Sequence, residues 1–339
     1  MKAAYYEGNR TISVGESVPK APAPGEVKLK VAYCGICGTD YHIFLGHRDK
    51  DVKRPQVIGH EMSGKVVEVG EGVEGFEPGD RVVVRPLAPC RACPACELGH
   101  YNICPHLNFL GIGSPGAFQA WWTVPADTLH HLPDSVDTVE AALIEPVAVA
   151  CHDVRYGEVT DNDYVVVQGA GPIGILVALV AKARGANVLS LELNKHRLQL
   201  ARDLSLDALS PSEADIPDYV EKQTGTAGAD VVFEVTGSAA GAELMTRLVR
   251  SRGRIVIVGI FMAPTPVDLR RILWREMRVC GARNYDAEDF DAAIEMVASK
   301  RLPLERLISD IRPLERLQET FEAIDRGENL MKVLFRCSD

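Results

Sequence analysis

The sequence predicts two structural classes in one chain: a β-rich, barrel-like domain and a doubly wound parallel α/β sheet. The first 90 residues contain short alternating strands separated by glycine and proline turns. From about residue 163 onward, nearly continuous apolar runs alternate with helical stretches, as parallel strands covered on both faces require. A chain of 339 residues is also long for one hydrophobic core, so two domains are expected.

The composition is that of an ordinary globular protein, with 46% hydrophobic and 25% charged residues. A net charge of −10 argues against a nucleic-acid partner. We find no apolar run of transmembrane length and no signal-peptide segment, so we expect no membrane partner and a cytoplasmic location. Nine cysteines in a chain without an export signal favour metal ligation over paired disulfides.

The β-rich part is predicted from residues 26–32, 64–70 and 80–84, where apolar positions alternate with polar ones or cluster between turns. Many short strands with such punctuation favour a small barrel or sandwich over a layered α/β sheet. A glycine-rich loop after the strand at 26–32 contains Cys37, and in such a loop a thiolate can be presented to a ligand.

Cys37, His60 and Glu61 are candidate ligands of a catalytic metal. They occur in the stretches CGICGTDYH (34–42) and GHE (59–61). A thiolate, an imidazole and a carboxylate hold zinc with an open fourth position, which is typical of a catalytic rather than a structural site. Asp40 is a candidate for the carboxylate that orients a ligand. Without a metal, ordinary surface hydrogen bonding would explain Thr39, Asp40 and His42.

Four cysteines form the most specific pattern in the chain. Their spacing is Cys-x2-Cys-x2-Cys-x7-Cys, and they are Cys90, Cys93, Cys96 and Cys104. Four thiolates make a closed tetrahedral set, which predicts a structural zinc in a lobe over residues 88–106. An iron–sulfur cluster and a redox disulfide pair are the alternatives.

Glu145 precedes Pro146 in an otherwise apolar stretch, which reads as the start of a helix interrupted at the proline. A carboxylate in such surroundings is expected to be partly buried and therefore to need a partner. A metal ion or its bound water would provide one. The other interpretation is a simple charge at a helix terminus.

A glycine-rich turn begins the α/β part of the chain. The apolar strand at 163–169 leads into the motif Gly169-Ala-Gly171-Pro172-Ile173-Gly174, and a helical stretch follows. Glycines at these positions permit a tight turn, close approach of the backbone to a pyrophosphate, and close helix packing. A second strand, at 187–192, ends in Glu192, 18 residues after Gly174. This context predicts a dinucleotide-binding site.

Further strands are predicted at 229–237, 253–259 and 277–282, with a helix at 239–250. We therefore expect one doubly wound sheet over residues 151–284. Two helices, at 287–299 and 314–326, and a short strand at 332–335 follow it.

Taken together, these motifs resemble the zinc-dependent medium-chain dehydrogenases, and within them the polyol branch of sorbitol and 2,3-butanediol dehydrogenases. The resemblance extends over essentially the whole chain. The matching motifs are Gly35-Ile-Cys37-Gly-Thr-Asp40, Gly59-His60-Glu61, Gly79-Asp-Arg-Val82, the four-cysteine lobe, Ile144-Glu145-Pro146 and the glycine-rich turn.

The resemblance implies a GroES-like catalytic domain over residues 1–150, completed by a C-terminal segment over 285–339. It implies a Rossmann cofactor domain over 151–284 between them, with the active site in the cleft. Each chain would hold two zinc ions and NAD, and the protein would be a homodimer or homotetramer.

The family's site residues map onto this sequence. Cys37, His60 and Glu61 resemble the zinc ligands, and Glu145 resembles the second carboxylate, which acts as a ligand or holds the zinc-bound water. Thr39 resembles the hydroxyl group that contacts the reacting alcohol, and His42 a member of the proton relay. Arg283 resembles an arginine that contacts substrate hydroxyls; a surface or interdomain ion pair is the other interpretation.

The implied reaction interconverts a secondary alcohol and a ketone of a polyol, vicinal diol or sugar acid. One departure argues against sorbitol itself, because the sequence has Ile43-Phe44 where sorbitol dehydrogenases place a tyrosine. Two other classes are a zinc-independent carbonyl or enone reductase and a non-catalytic dinucleotide-binding sensor. The intact Cys37, His60 and Glu61 set argues against both.

Glu192 predicts NAD rather than NADP, because an acid at this position accepts hydrogen bonds from both ribose hydroxyls. The basic residues Lys195, His196 and Arg197 follow it, and a nearby basic group is how NADP enzymes accommodate the 2′-phosphate. Arg197 is the member expected to contact the cofactor. The alternative for all three is the solvated first turn of a helix.

Overall fold

The structure is a computed structural model that describes residues 1–225 and 228–338. Its strands are β1 (Lys2–Gly8), β2 (Thr11–Glu16), β3 (Glu26–Gly35), β4 (Gln56–Val57), β5 (Glu61–Val69), β6 (Arg81–Val84), β7 (Leu87–Ala88), β8 (Asn108–Phe109), β9 (Trp121–Pro125), β10 (Leu129–His131), β11 (Tyr164–Gln168), β12 (Asn187–Leu191), β13 (Asp207–Leu209), β14 (Ala229–Glu234), β15 (Val249–Ile257), β16 (Arg278–Gly281), β17 (Ile308–Pro313) and β18 (Lys332–Arg336).

Its α-helices are α1 (Gly38–Phe44), α2 (Pro94–Glu97), α3 (Thr138–Ala141), α4 (Ile144–Tyr156), α5 (Pro172–Ala183), α6 (Lys195–Asp203), α7 (Ile216–Thr224), α8 (Ala239–Leu248), α9 (Leu269–Trp274), α10 (Ala287–Ala298) and α11 (Leu317–Asp325). Short 3₁₀ turns occur at Tyr101–Ile103, Ala126–Thr128, Leu304–Leu307 and Leu314–Arg316. Among the described residues, no helix combines the length and apolarity needed to cross a membrane.

The chain divides into two compact units. The first comprises Met1–Glu145, Ala293–Lys300 and the C-terminal stretch from Leu304; the second comprises Pro146–Ala292 with Arg301–Pro303.

The first unit is built from antiparallel β-structure. Its largest sheet has the strand order β10-β6-β5-β3-β18-β17, with β9 also paired to β3, and a smaller sheet has the order β2-β1-β4. Val27, Leu29 and Val31 are buried on β3 while the lysines between them remain partly exposed, so the alternation in the sequence faces a core. The final strand, β18, pairs with β3, so the C-terminal residues belong to this sheet.

The second unit is a six-stranded parallel sheet with the order β13-β12-β11-β14-β15-β16. The three valines of β11, Val165 to Val167, are fully buried, as a central strand covered by helices on both faces requires. The strand order reverses direction between β11 and β14. Ligands of such sheets bind at this position, at the carboxyl ends of the strands. The predicted fold class, a doubly wound parallel sheet with a β-rich domain, is confirmed.

Helix α4 differs from the sequence-based expectation. It runs without interruption from Ile144 to Tyr156 and contains Pro146 in its first turn. A proline is tolerated there because the first N–H groups of a helix have no intrahelical acceptor. Glu145 therefore occupies the first turn of a continuous helix, where its negative charge complements the helix dipole.

Candidate metal and cofactor sites

Three potential metal ligands meet in the first unit. Cys37 is the N-cap of α1, His60 lies immediately before β5, and Glu61 is the first residue of β5. Each offers one ligand atom, and these atoms lie within 4.8 Å of one another. Gly59 has a φ of +93°, and Phe118 lies so close that a side chain at this position would collide with its ring. The glycine thus lets the backbone turn so that His60 enters the pocket.

Asp40 lies beside two of these ligand residues in a fully buried position. Its Oδ2 accepts a hydrogen bond from the backbone N–H of Cys37 at 2.9 Å, which closes the first turn of α1. Its Oδ1 lies 3.6 Å from Nδ1 of His60, and within the described chain neither of these two atoms has a hydrogen-bond partner. A carboxylate behind one imidazole nitrogen orients the ring so that the other nitrogen can bind a metal.

Lys332 is a pocket residue that the sequence did not reveal. It is buried, and its Nζ lies 2.5 Å from Oε1 of Glu61 and 3.0 Å from the carbonyl oxygen of Ile36. Burial lowers the pKa of Lys332, but the negative charges of Glu61 and Cys37 outweigh it and raise the pKa overall. The sequence offered one signal for this residue. Lys332 begins an otherwise apolar strand predicted at 332–335, and a charged side chain in such a strand needs a partner.

Glu145 is also close to this pocket. It is 6% exposed, and its charge acts on both His60 and Lys332. Its carboxylate is not part of the set of ligand atoms that lie within 4.8 Å of one another. The two glutamates therefore differ: the carboxylate of Glu61 belongs to the ligand cluster, whereas Glu145 acts on the pocket through its charge.

The charge of this pocket suits a divalent cation. Burial lowers the pKa of His60, yet Asp40 and Cys37 outweigh it and raise the pKa to about 10. The nearby carboxylates and thiol thus favour a positive charge at this position. A metal ion would replace that positive charge and compensate the same groups. Sulfur, nitrogen and oxygen donors in one cluster fit zinc, and three protein donors leave one coordination position open.

The four-cysteine lobe holds Cys90, Cys93, Cys96 and Cys104 as free thiols. Their sulfurs lie within 4.8 Å of one another, and Cys104 Sγ is 3.5 Å from that of Cys90 and 3.8 Å from that of Cys93. A tetrahedral zinc with sulfur bonds of about 2.3 Å separates its sulfurs by about 3.8 Å. Burial opposes ionisation of Cys104, but backbone N–H groups favour the thiolate and lower its pKa to about 7. The lobe therefore fits a closed, four-thiolate zinc site.

The glycine-rich turn joins β11 to α5. Gly169 has a φ of +100°, and a side chain at Gly174 would lie 1.9 Å from the carbonyl oxygen of Gly169, so both positions require glycine. Gly171 is the N-cap of α5, and Pro172 and Ile173 follow in its first turn. The free N–H groups of this helix terminus form the type of site that binds phosphate.

Glu192 lies beside this turn at the end of β12. Its Oε2 accepts the N–H of Ala170 at 2.9 Å, and its Oε1 accepts the N–H groups of Leu193 and Asn194 at 2.7 and 2.8 Å. The carboxylate thus connects the second strand to the glycine turn. Arg197, in the first turn of α6, has a guanidinium nitrogen 3.7 Å from the position that a side chain at Gly171 would occupy. The acidic Glu192 and the basic Arg197 therefore both lie beside the glycine-rich turn.

The remaining predicted residues occupy separate positions. Thr39 and His42 lie on α1, the helix that Cys37 caps, and both are partly buried. Arg283 is exposed and follows β16 by two residues in the second unit. His47 is a further histidine near α1 that the sequence did not single out. Its only signal was its position five residues after His42.

Comparison with known proteins identifies relatives over the whole length. Residues 23–134 match the alcohol dehydrogenase GroES-like domain, and residues 172–299 match the zinc-binding dehydrogenase domain. The chain is 48% identical to the 2-dehydro-3-deoxy-L-galactonate 5-dehydrogenase of Pseudoalteromonas atlantica, over 100% of this chain and 99% of the relative.

A sorbitol dehydrogenase of Halalkalibacterium halodurans is 35% identical, with 96% of each chain covered. Among solved structures, an alcohol dehydrogenase of Escherichia coli complexed with NADH superimposes with a TM-score of 0.92 at 30% identity, over 99% of each chain.

Proposed function

The chain belongs to the zinc-binding dehydrogenases with a GroES-like domain, and we propose that it oxidises a secondary alcohol of a sugar acid to the ketone with NAD. Family membership confirms the expectations of an oxidoreductase, of zinc and of NAD as cofactors, and of a small-molecule substrate. The observation that best supports the proposed site is the Cys37, His60 and Glu61 cluster, where Asp40, Cys37 and Glu145 all raise the pKa of His60.

We assign Cys37, His60 and Glu61 as the residues that hold the catalytic zinc. Bound there, zinc would supply a Lewis acid that polarises the substrate oxygen and favours loss of its proton. Asp40 orients His60, and Lys332 holds the carboxylate of Glu61 in place. Glu145 is assigned no zinc bond, and its charge acts on His60.

Thr39 and His42 are proposed to receive the alcohol proton, because both lie on the helix that begins at Cys37. We assign Gly169, Gly171 and Gly174, at the N-terminus of α5, as the residues that would hold the pyrophosphate of NAD. When bound, NAD would supply the acceptor for the hydride of the substrate's carbinol carbon. The four-cysteine lobe is assigned a structural zinc only, since its donor set is closed.

A sugar acid is proposed over a neutral polyol on two grounds. The relative at 48% identity acts on a sugar acid, whereas the sorbitol dehydrogenase is 35% identical. In addition, Ile43 and Phe44 are buried, and Phe44 stacks on Phe321 with ring centroids 4.9 Å apart, so these two side chains offer a polyol no hydroxyl group. Arg283 is proposed as the substrate contact, because a guanidinium matches a carboxylate in a bidentate arrangement.

NAD is proposed over NADP because Glu192 stands at the ribose end of the turn, where a 2′-phosphate would meet a carboxylate. Arg197 is close enough to act in the opposite direction. The preference is therefore expected to be modest, about tenfold in kcat/KM, which corresponds to about 1.4 kcal/mol.

The protein is further proposed to act in the cytoplasm as a homo-oligomer. Strand β16 is the edge of the parallel sheet, and α9 precedes it with three exposed apolar side chains, Leu269, Leu273 and Trp274. An unpaired strand edge beside exposed apolar side chains is a surface that a second copy can cover. Light scattering of the wild type and of Trp274→Glu tests this, and a wild-type monomer would contradict it.

The central experiment combines metal analysis with turnover. The purified full chain should contain two zinc ions and should reduce NAD with a sugar acid such as 2-dehydro-3-deoxy-L-galactonate faster than with sorbitol or 2,3-butanediol. A metal-free protein that reduces enones would instead support the reductase alternative, and cofactor binding without turnover would support the sensor. NAD and NADP are compared on the best substrate before and after Glu192→Ala, which should weaken the preference for NAD.

A further inference from the structure

Two histidines at the end of α1 are in direct contact. His42 is half-buried in the last turn of the helix, and His47 is exposed on the loop that follows. Their Nδ1 atoms lie 3.2 Å apart, and their ring centroids are 5.5 Å apart at an angle of 35°. The two imidazoles are therefore hydrogen-bonded to each other, and one of them is half-buried while the other is exposed to solvent.

The backbone conformation at the C-terminal end of α1 brings these two side chains together. The N–H of His47 donates to the carbonyl oxygen of His42 at 3.0 Å, and the N–H of Gly46 donates to that of Ile43 at 2.8 Å. Gly46 has a φ of +81°, so the helix ends in a Schellman motif. In this motif the side chains at the two positions occupied by His42 and His47 commonly contact each other. In most proteins that contact is apolar, whereas here both residues can transfer a proton.

A bond between two Nδ1 atoms requires one ring to donate and the other to accept. An imidazole can take up a proton at one nitrogen and release another proton from the second nitrogen. His42 can therefore accept a proton at Nε2 and donate the one at Nδ1 to His47. His47 is exposed and can release a proton to water or buffer.

The surrounding charges keep His42 ready to accept a proton. Burial lowers the pKa of His42, and the nearby His47 and Arg48 lower it further, which favours the neutral ring. Arg48 is paired with Asp51 at 2.8 Å. Asp49 is engaged by the hydroxyl of Tyr6 and by Arg54, each at 2.7 Å, and so does not replace His47 as the acceptor.

We propose that His47 is the outer member of the proton path and passes to solvent the proton that His42 receives during alcohol oxidation. The proposal rests on the proposed function. In that reaction the substrate C–H bond breaks and its electron pair leaves as hydride to NAD⁺, which is reduced to NADH. The O–H proton moves to His42 and, through the Nδ1 contact, to His47 and then to water. His47 does not touch the substrate and acts only through His42.

The test uses the zinc-loaded full chain with NAD, its best alcohol substrate, and a weakly buffered solution at and below neutral pH. His47→Gln should lower kcat about tenfold, a smaller effect than the usual loss of a general base because water partly replaces an exposed group. KM and NADH binding should not change. Added imidazole should restore kcat to within about twofold. His47→Arg places a group there that cannot release its proton, so it should behave like His47→Gln.

A double variant separates a relay from a structural role. Because His47 acts through His42, His42→Gln with His47→Gln should be no slower than His42→Gln alone. His131→Gln, at another exposed histidine, should leave the pH profile unchanged. An unchanged kcat in His47→Gln, a loss that imidazole does not restore, or losses that add in the double variant would each overturn the proposal. A wild type without NAD-linked oxidation would instead overturn the proposed function.

Discussion

The two candidate zinc sites of the first unit differ in the source and type of their donor atoms. The lobe takes all four donors from the stretch Cys90–Cys104, and all four are thiols. The pocket at Cys37 takes its donors from α1 and from the start of β5, and surrounds them with Asp40, Glu145 and Lys332. Four thiolates in the lobe would complete the coordination of a zinc ion. Three donors in the pocket would leave one coordination position of a zinc ion open for a substrate.

This difference predicts how each site responds to damage. Loss of a lobe ligand should affect stability, because a short segment with little apolar content depends on its metal. Loss of a pocket ligand should affect turnover, because the β-sheet around it has its own hydrophobic core. The following variants test this division, from the largest expected effect to the smallest.

Cys37→Ala should abolish turnover, with kcat falling by about four orders of magnitude or more, since it removes the metal's contribution of several kcal/mol to charge stabilisation. NADH binding should persist because Gly169, Gly171 and Gly174 belong to the other unit. Zinc analysis, turnover and NADH fluorescence measure the three properties. Cys280→Ala, at a cysteine outside both metal clusters, is the matched control. Activity retained in a metal-free Cys37→Ala protein would refute the assignment.

Lys332→Met should destabilise the zinc-free protein by about 4 kcal/mol, because it leaves the buried carboxylate of Glu61 without its partner. Zinc should restore more stability to this variant than to the wild type. Since the fold raises the pKa of Lys332, its contribution is present at neutral pH and is lost only as the pH rises above the ordinary lysine range. Urea unfolding with and without zinc measures this.

The control for Lys332→Met is Lys222→Met, which breaks an exposed pair with Asp218 at 2.5 Å. Such a surface pair contributes little, so this variant should be nearly neutral. If both variants lost the same stability, Lys332 would have no special role in the pocket.

Cys96→Ser should lower stability by about 3 kcal/mol and reduce zinc from two ions to one per chain. At a temperature where the protein stays folded, turnover should change little. Metal analysis and thermal unfolding measure these properties, with Cys280→Ser as the control for loss of a thiol. An unchanged zinc content and unfolding temperature would show that the lobe is not a metal site.

Sequence patterns predicted the features that lie within one stretch of chain. The four-cysteine spacing, the glycine turn and the apolar strands of the parallel sheet all follow from neighbouring residues, and the structure and comparisons agree with them. Lys332 could not be placed from the sequence because it lies 271 residues from Glu61 along the chain. The two residues come together only when β18 pairs with β3. The contact between His42 and His47 depends on how α1 ends, which requires backbone geometry.

The final prediction distinguishes the two glutamates of the pocket. Glu61 belongs to the ligand cluster and Glu145 does not, yet the charge of Glu145 still acts on His60. Glutamine keeps the size of either side chain and removes its charge. Glu61→Gln should lose the pocket zinc, whereas Glu145→Gln should keep both zinc ions and lower kcat only about tenfold, or about 1.4 kcal/mol. Zinc content and kcat are measured on both, with Glu319→Gln as the control because that exposed residue pairs with Arg316 on the surface. If Glu145→Gln lost the zinc and Glu61→Gln kept it, Glu145 would be the ligand and the pair of Lys332 with Glu61 would be a structural contact behind it.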